Sequence, residues 1–91
     1  MFTLSAKLKF YIPYAASLKD KRQVRRSLIE KVRHKFNVSI AEIDTQDVLQ
    51  TLTIGIAVVS DDAAFRRECM EQIICFIDAN TDAELLEVEG D

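Results

Sequence analysis

From residue 2 to residue 12, apolar and polar side chains alternate without interruption. Phe2, Leu4, Ala6, Leu8, Phe10 and Ile12 share one parity, and Thr3, Ser5, Lys7, Lys9 and Tyr11 share the other. Successive side chains of a strand point to opposite faces, so this stretch has one face to bury and one to leave in water. Pro13, which cannot donate to a sheet ladder, ends it. A strand wet on one side belongs to an antiparallel sheet covered on one face only. The cover must come from elsewhere in the chain.

The stretch 17–36, SLKDKRQVRRSLIEKVRHKF, supplies it. Ser17 caps the start and Asp20, three residues on, completes a shortened capping box and suits the positive end of the helix dipole. At about 100° per residue, Val24, Leu28, Val32 and Phe36 form one stripe, flanked by Leu18 and Ile29. Lys19, Arg22, Arg26, Glu30 and His34 lie mostly opposite. Lys21 and Arg25 break the pattern by projecting into the apolar arc. Either their stems cover the edge of the core while their heads pair with carboxylates, or they converge with helix-start amides on an anion.

The remaining segments repeat the two periods. In VSIAEID, Val38 and Ile40 share a face but Ile43 falls on the other parity, and a bulge near Ala41 would restore register. Residues 44–47 read as a hairpin turn. A strand follows from about Leu49 to Val59, with Leu52, Ile54, Ile56 and Val58 inward. Ser60, Asp61 and Asp62 start a second helix, whose stripe is Phe65, Cys69, Ile73, Phe76 and Ile77, widened by Met70 and Ile74. Residues 83–89 form a final strand with Leu86 and Val88 inward.

The order strand, helix, strand, strand, helix, strand predicts an α+β chain, the ferredoxin-like βαββαβ arrangement in one domain, 1–91: a four-stranded antiparallel sheet with both helices on one face. The other face is open and carries Lys7, Lys9, Tyr11 and Thr53 among small residues. The same topology brings Glu42, Asp44 and Asp47 to the sheet edge where Lys19, Lys21, Arg22 and Arg25 start the helix.

Charge is segregated along the chain. The net value is −3, yet residues 1–36 carry ten Lys/Arg against two Asp/Glu, a balance of +8, while residues 37–91 carry two against thirteen, a balance of −11. Such a split suits either self-complementary association or one basic surface for an anionic partner. The acidic average opposes tight, nonspecific adhesion to nucleic acid. No apolar run reaches membrane-spanning length, and the alternating N-terminus is unlike a signal peptide, so a cytoplasmic location is expected.

Catalytic chemistry finds no footing. Cys69 and Cys75, six apart on a helix, are separated by about 9 Å of rise and about 120° of rotation, which excludes a disulfide between them. Cys69 reads as buried and Cys75 as exposed. His34 is the only histidine and falls on a solvent face. GxGxxG, P-loop and nucleophile-elbow patterns are absent, as are the glycine-rich phosphate loop of acylphosphatases and the four cysteines of an iron–sulfur cluster. No catalytic residue, cofactor or metal site is expected.

Ser17-Leu18-Lys19-Asp20-Lys21-Arg22, then Phe36-Asn37-Val38-Ser39-Ile40-Ala41-Glu42-Ile43-Asp44, then Val58-Val59-Ser60, resemble in order and spacing the YlxP-like family of small bacterial proteins of unknown function. The resemblance implies a ferredoxin-like fold and a cytoplasmic bacterial protein, one of a family often encoded among translation and ribosome-maturation genes. Where that family often has a histidine and then a tryptophan in the hairpin, this chain has Thr45 and Leu49.

Two functions are therefore expected. In the first, Lys19, Lys21, Arg22, Arg25 and Arg26 contact phosphates of RNA or a ribosomal particle, with Lys7 and Lys9 as an extension of that surface. Backbone and shape outweigh base readout there, since Tyr11 alone could stack on the open face. In the second, the chain is a homo-oligomer that associates through the open sheet face, with Lys7, Lys9, Tyr11 and Thr53 at the contact.

Overall fold

The computed structural model describes residues 2–90. Its elements are β1 (Thr3–Tyr11), α1 (Leu18–Lys35), β2 (Ser39–Glu42), β3 (Thr51–Val59), α2 (Ala63–Ala79) and β4 (Glu84–Gly90). The four strands form one antiparallel sheet in the order β2-β3-β1-β4. This is the ferredoxin-like α+β arrangement that the alternation of periods predicts.

Each helix begins with a side chain satisfying an orphan amide. Ser17 Oγ accepts from the Asp20 N–H (3.1 Å), while Asp20 Oδ2 accepts from the Ala16 N–H (3.0 Å). The reciprocal bond thus reaches one residue before the cap, a variant of the capping box. Asp62 Oδ1 caps α2 by accepting from the Phe65 N–H (3.1 Å).

The core lies between the sheet and the helices. Leu8, Phe10, Ile12, Leu52, Ile54 and Val58 meet Leu28 and Val32 of α1 and Ile73 and Ile77 of α2. Burying side chains of this size contributes about 1.5–3 kcal/mol each, which fixes the register of β1 against β3 over nine residue pairs. The α1 helix leans on β2, and α2 on β1 and β3.

Several expectations fail in informative ways. There is no bulge near Ala41: β2 pairs with β3 in unbroken register, Ala41 opposite Gly55. Ile43 therefore stays on the open face, where its side chain lies over Gly55; a Cβ added there would stand 3.1 Å from Ile43 Cδ1. The register shift falls instead between β1 and β4 at Lys9/Phe10, leaving Leu86 without a counterpart. Leu85, not Leu86, then packs against the core. Val88 pairs with Leu8 but remains half exposed on the sheet edge.

On α2 the core stripe is centred on Met70, Ile73 and Ile77. Phe65 lies about 110° from that centre at 100° per residue and is 50% exposed. Cys69 is only partly buried, and Cys75 is exposed. Burial still raises the Cys69 thiol pKa. The strand expected from Leu49 begins at Thr51, because residues 43–50 form a longer connection than the expected turn.

Candidate nucleic-acid interface

The cations of α1 are sorted by helical angle into two groups with different surroundings. Lys21 points inward and is 2% exposed. Its ammonium donates to the carbonyl of Thr45 and to that of Val48 (2.6 Å), and stands 2.8 Å from Glu42 Oε2. A lysine has three N–H donors, so all three have an acceptor in reach. Arg25 Nη1 donates to the other oxygen of the same carboxylate, Glu42 Oε1, at 3.1 Å. The Glu42 side chain is only 5% exposed.

Glu42 Oε2 receives no well-aligned hydrogen bond, although the Lys21 ammonium is beside it. We take this contact as an ion pair held by charge. Its enclosure by helix, strand and loop keeps water from competing.

Of the two readings of Lys21 and Arg25, the structure supports pairing. Lys21 is buried, with two donors on carbonyls and its charge against Glu42, so it is not presented to a phosphate, and Arg25 is partly committed. Together they fasten residues 43–50 to α1. Of the acids expected at this edge, only Glu42 meets these cations. Asp44 adopts a left-handed backbone (φ 62°), which turns it to the opposite face of the sheet, where its Oδ2 pairs with Lys7 Nζ at 2.7 Å. Asp47 is exposed and forms no ion pair among the described residues.

Lys19, Arg22 and Arg26 make up the second group. All are exposed, and none forms an ion pair among the described residues. Arg33 continues their line toward the C-terminus, spending one N–H on the Ile40 carbonyl of edge strand β2 (3.1 Å). A groove of about 380 Å³ runs beside this row, lined by Arg25, Arg26, Ile29, Arg33, Ile40 and Gln46 among others.

The open sheet face differs from its expected composition. Thr53 lies on it but is only 2% exposed, and so cannot serve as a contact residue. The 43–50 connection covers it: Thr45 Oγ1 accepts from the Thr53 N–H (2.9 Å) and bonds its hydroxyl (3.0 Å). Thr45 thus locks the hairpin from both sides, its hydroxyl on the sheet and its carbonyl on Lys21. Sequence reasoning missed this role, and only the Thr45–Thr53 spacing across a hairpin hinted at it.

Lys7 and Lys9 are hemmed by acids. In the β1–β4 register Lys7 stands opposite Glu89, Lys9 opposite Glu87 and Tyr11 opposite Glu84. The hydrogen bond and charge of Asp44 raise the Lys7 pKa, with smaller contributions from Glu89 and Glu87. With Asp44, four carboxylates share this face with two lysines. What remains is a shallow groove of about 440 Å³ floored by Ser5, Ala41, Gly55 and Ala57 and flanked by Ile43.

Among the described residues no group of three or more His, Cys, Asp or Glu could hold a metal ion, and no helix is long and apolar enough to cross a membrane.

Comparison with known proteins matches residues 3–90 to a family described as "Protein of unknown function (DUF503)". The chain is also 40% identical, over 70 residues, to the uncharacterized protein YlxP of Bacillus subtilis (strain 168), an alignment covering 77% of this chain and 76% of that protein. The stretches 17–22 and 36–44 meet in space where Lys21 of the first stands against Glu42 of the second, joined by Arg25. The chain belongs to the DUF503 family, the family of YlxP.

Proposed function

We propose that this protein is a non-catalytic cytoplasmic module that binds RNA, free or in a ribosomal particle, through the phosphate backbone. The contact surface is the exposed row Lys19, Arg22 and Arg26 on α1, extended by Arg33. One observation carries the reading: these cations remain exposed and without ion pairs among the described residues, in a chain whose net charge is −3. Of the acids that balance the total, Glu42 is buried against Lys21 and Arg25, Asp44 pairs with Lys7 across the sheet, and Glu84, Glu87 and Glu89 stand on β4, the edge strand opposite β2. An acidic average therefore coexists with one locally basic surface, and local field steers an anionic polymer. Lys7 and Lys9 have no part in it, because carboxylates surround them.

The test is binding to purified ribosomal subunits and to a structured RNA at low and near-physiological salt. The comparison protein changes Lys19, Arg22 and Arg26 to Ala and leaves Lys21 in place, so the hairpin stays fastened. Salt-sensitive binding that this variant loses supports the reading. Absence of binding at both salts overturns it.

A second reading, self-association through the open sheet face, is favoured by the groove over Gly55 and Ala57, where small side chains permit close approach of another surface. Ala57→Glu would place a carboxylate on the groove floor. If the protein sediments as a dimer that this substitution dissociates, the second reading stands; a monomeric wild type at high concentration removes it.

A further inference from the structure

We infer that the cationic row on α1 is built for the double-helical form of RNA rather than for single strands. This rests on the RNA-binding reading above. Lys19, Arg22, Arg26 and Arg33 lie within about 60° of one another around the helix axis and span about 21 Å along it. They sit on a long, capped helix whose opposite side is anchored in the core by Leu28 and Val32. The row is thus straight and rigid, and its members are point charges and planar guanidinium forks.

Such a row has little to offer a single strand. Single strands gain much of their affinity from bases stacked on aromatic rings, about 1–3 kcal/mol per base. No aromatic side chain accompanies the row. Tyr14 is exposed but lines a hollow on the other flank of α1, with Gln23, Ser27, Lys31 and Asp82. Phe65 stands on α2 and Tyr11 on the sheet. A flexible strand would also have to be ordered along the helix, with its bases left unsatisfied.

A duplex has the opposite properties. Its phosphates are already fixed in space, and its linear charge density is about double that of one strand, one charge per ~1.7 Å in the DNA reference case. Duplex RNA is recognised by shape and backbone in any event. Glu30, exposed at one margin of the row, opposes any phosphate there; Glu42 does not, being buried and paired.

The experiment titrates the full chain into a fluorescently labelled, blunt RNA duplex of 16 base pairs and, separately, into each of its strands, at several salt concentrations. The duplex is expected to bind at least tenfold more tightly than either strand. The slope of log K against log salt should be near −3.6 for four phosphate contacts, at about −0.9 each. Changing Lys19, Arg22 and Arg26 to Ala should reduce it to about −0.9, and Glu30→Gln should tighten duplex binding. If the strands bind as tightly as the duplex, or Tyr14→Ala weakens strand binding severalfold, the duplex inference falls while RNA binding survives. If neither form binds, both fall. If the duplex binds but the triple variant is unaffected, the site is wrong.

Discussion

Lys21 and Arg22 are neighbours on one helix and differ in everything that matters to function. A 100° rotation places the first in a closed cage of two carbonyls and a carboxylate and the second in water. Lys21 and Arg25 form the inner pair; Lys19, Arg22 and Arg26 form the outer row. The same residue types, drawn from one helix, do unlike work: the inner pair holds the hairpin, and the outer row is exposed. Positive charge in a sequence motif therefore does not identify a binding residue until the acids across the fold are located.

The sharpest way to break this comparison is Lys21→Met. Removing one partner of a buried ion pair is expected to cost about 3–5 kcal/mol, because two carbonyls lose their donor and Glu42 is left with only the partly exposed Arg25. Chemical denaturation measures the loss, and hydrogen exchange should show the Thr53 amide less protected. The double change Lys21→Met with Glu42→Leu should recover part of the loss, since the buried carboxylate is gone and Arg25, 30% exposed, can turn its guanidinium to water. A Lys21→Met protein as stable as wild type would mean that the inner pair holds nothing.

Arg25→Ala should cost less, about 1–2 kcal/mol, because the Arg25 side chain is 30% exposed and Lys21 remains on the carboxylate. A loss equal to that of Lys21→Met would place the weight of the lock on the guanidinium instead.

The outer row should show the reverse behaviour. Lys19→Ala, Arg22→Ala and Arg26→Ala should each change stability by no more than about 0.5 kcal/mol, as for exposed side chains outside special features, while the triple variant loses salt-sensitive RNA binding. If the triple variant is instead strongly destabilised, the outer row has structural partners and the contrast with Lys21 collapses.

These two groups also mark how far the sequence can be read. The periods of residues 2–12 and 17–36 and the order of elements lead to the sheet, its covered face and its capped helices, because each depends on local pattern. The pairing of Lys21 and Arg25 with Glu42 was legible as one of two readings, since topology alone brings those segments together. What was not legible depends on shifts of one residue. One parity clue misled: Ile43 suggested a bulge that does not exist, while the real register shift at Lys9/Phe10 leaves no mark on hydrophobic alternation in β1. Asp44 was expected beside α1 and lies across the sheet because of one left-handed residue. Thr53 was expected as a contact and is covered by Thr45, a non-local packing fact that strand parity cannot report.

The smallest expected effect tests that crossing of the hairpin directly. Asp44 bonds Lys7 on the open face and raises its pKa. A lysine whose folded pKa is raised contributes stability that is fully present below the ordinary lysine value and is lost as pH rises through the raised one. Both groups are substantially exposed, so the effect on stability is slight and confined to strongly alkaline solution. The titration itself is the better probe. Followed by NMR, Lys7 should titrate above the ordinary lysine value in the wild type, and Asp44→Asn should bring it down toward that value. Thr45 and Lys21 keep their bonds in that variant, so Thr53 should remain protected from exchange. If Lys7 already titrates at the ordinary value in the wild type, Asp44 is not held across the sheet. The hairpin would then be held to the sheet by Thr45 alone and to the helix by the inner pair.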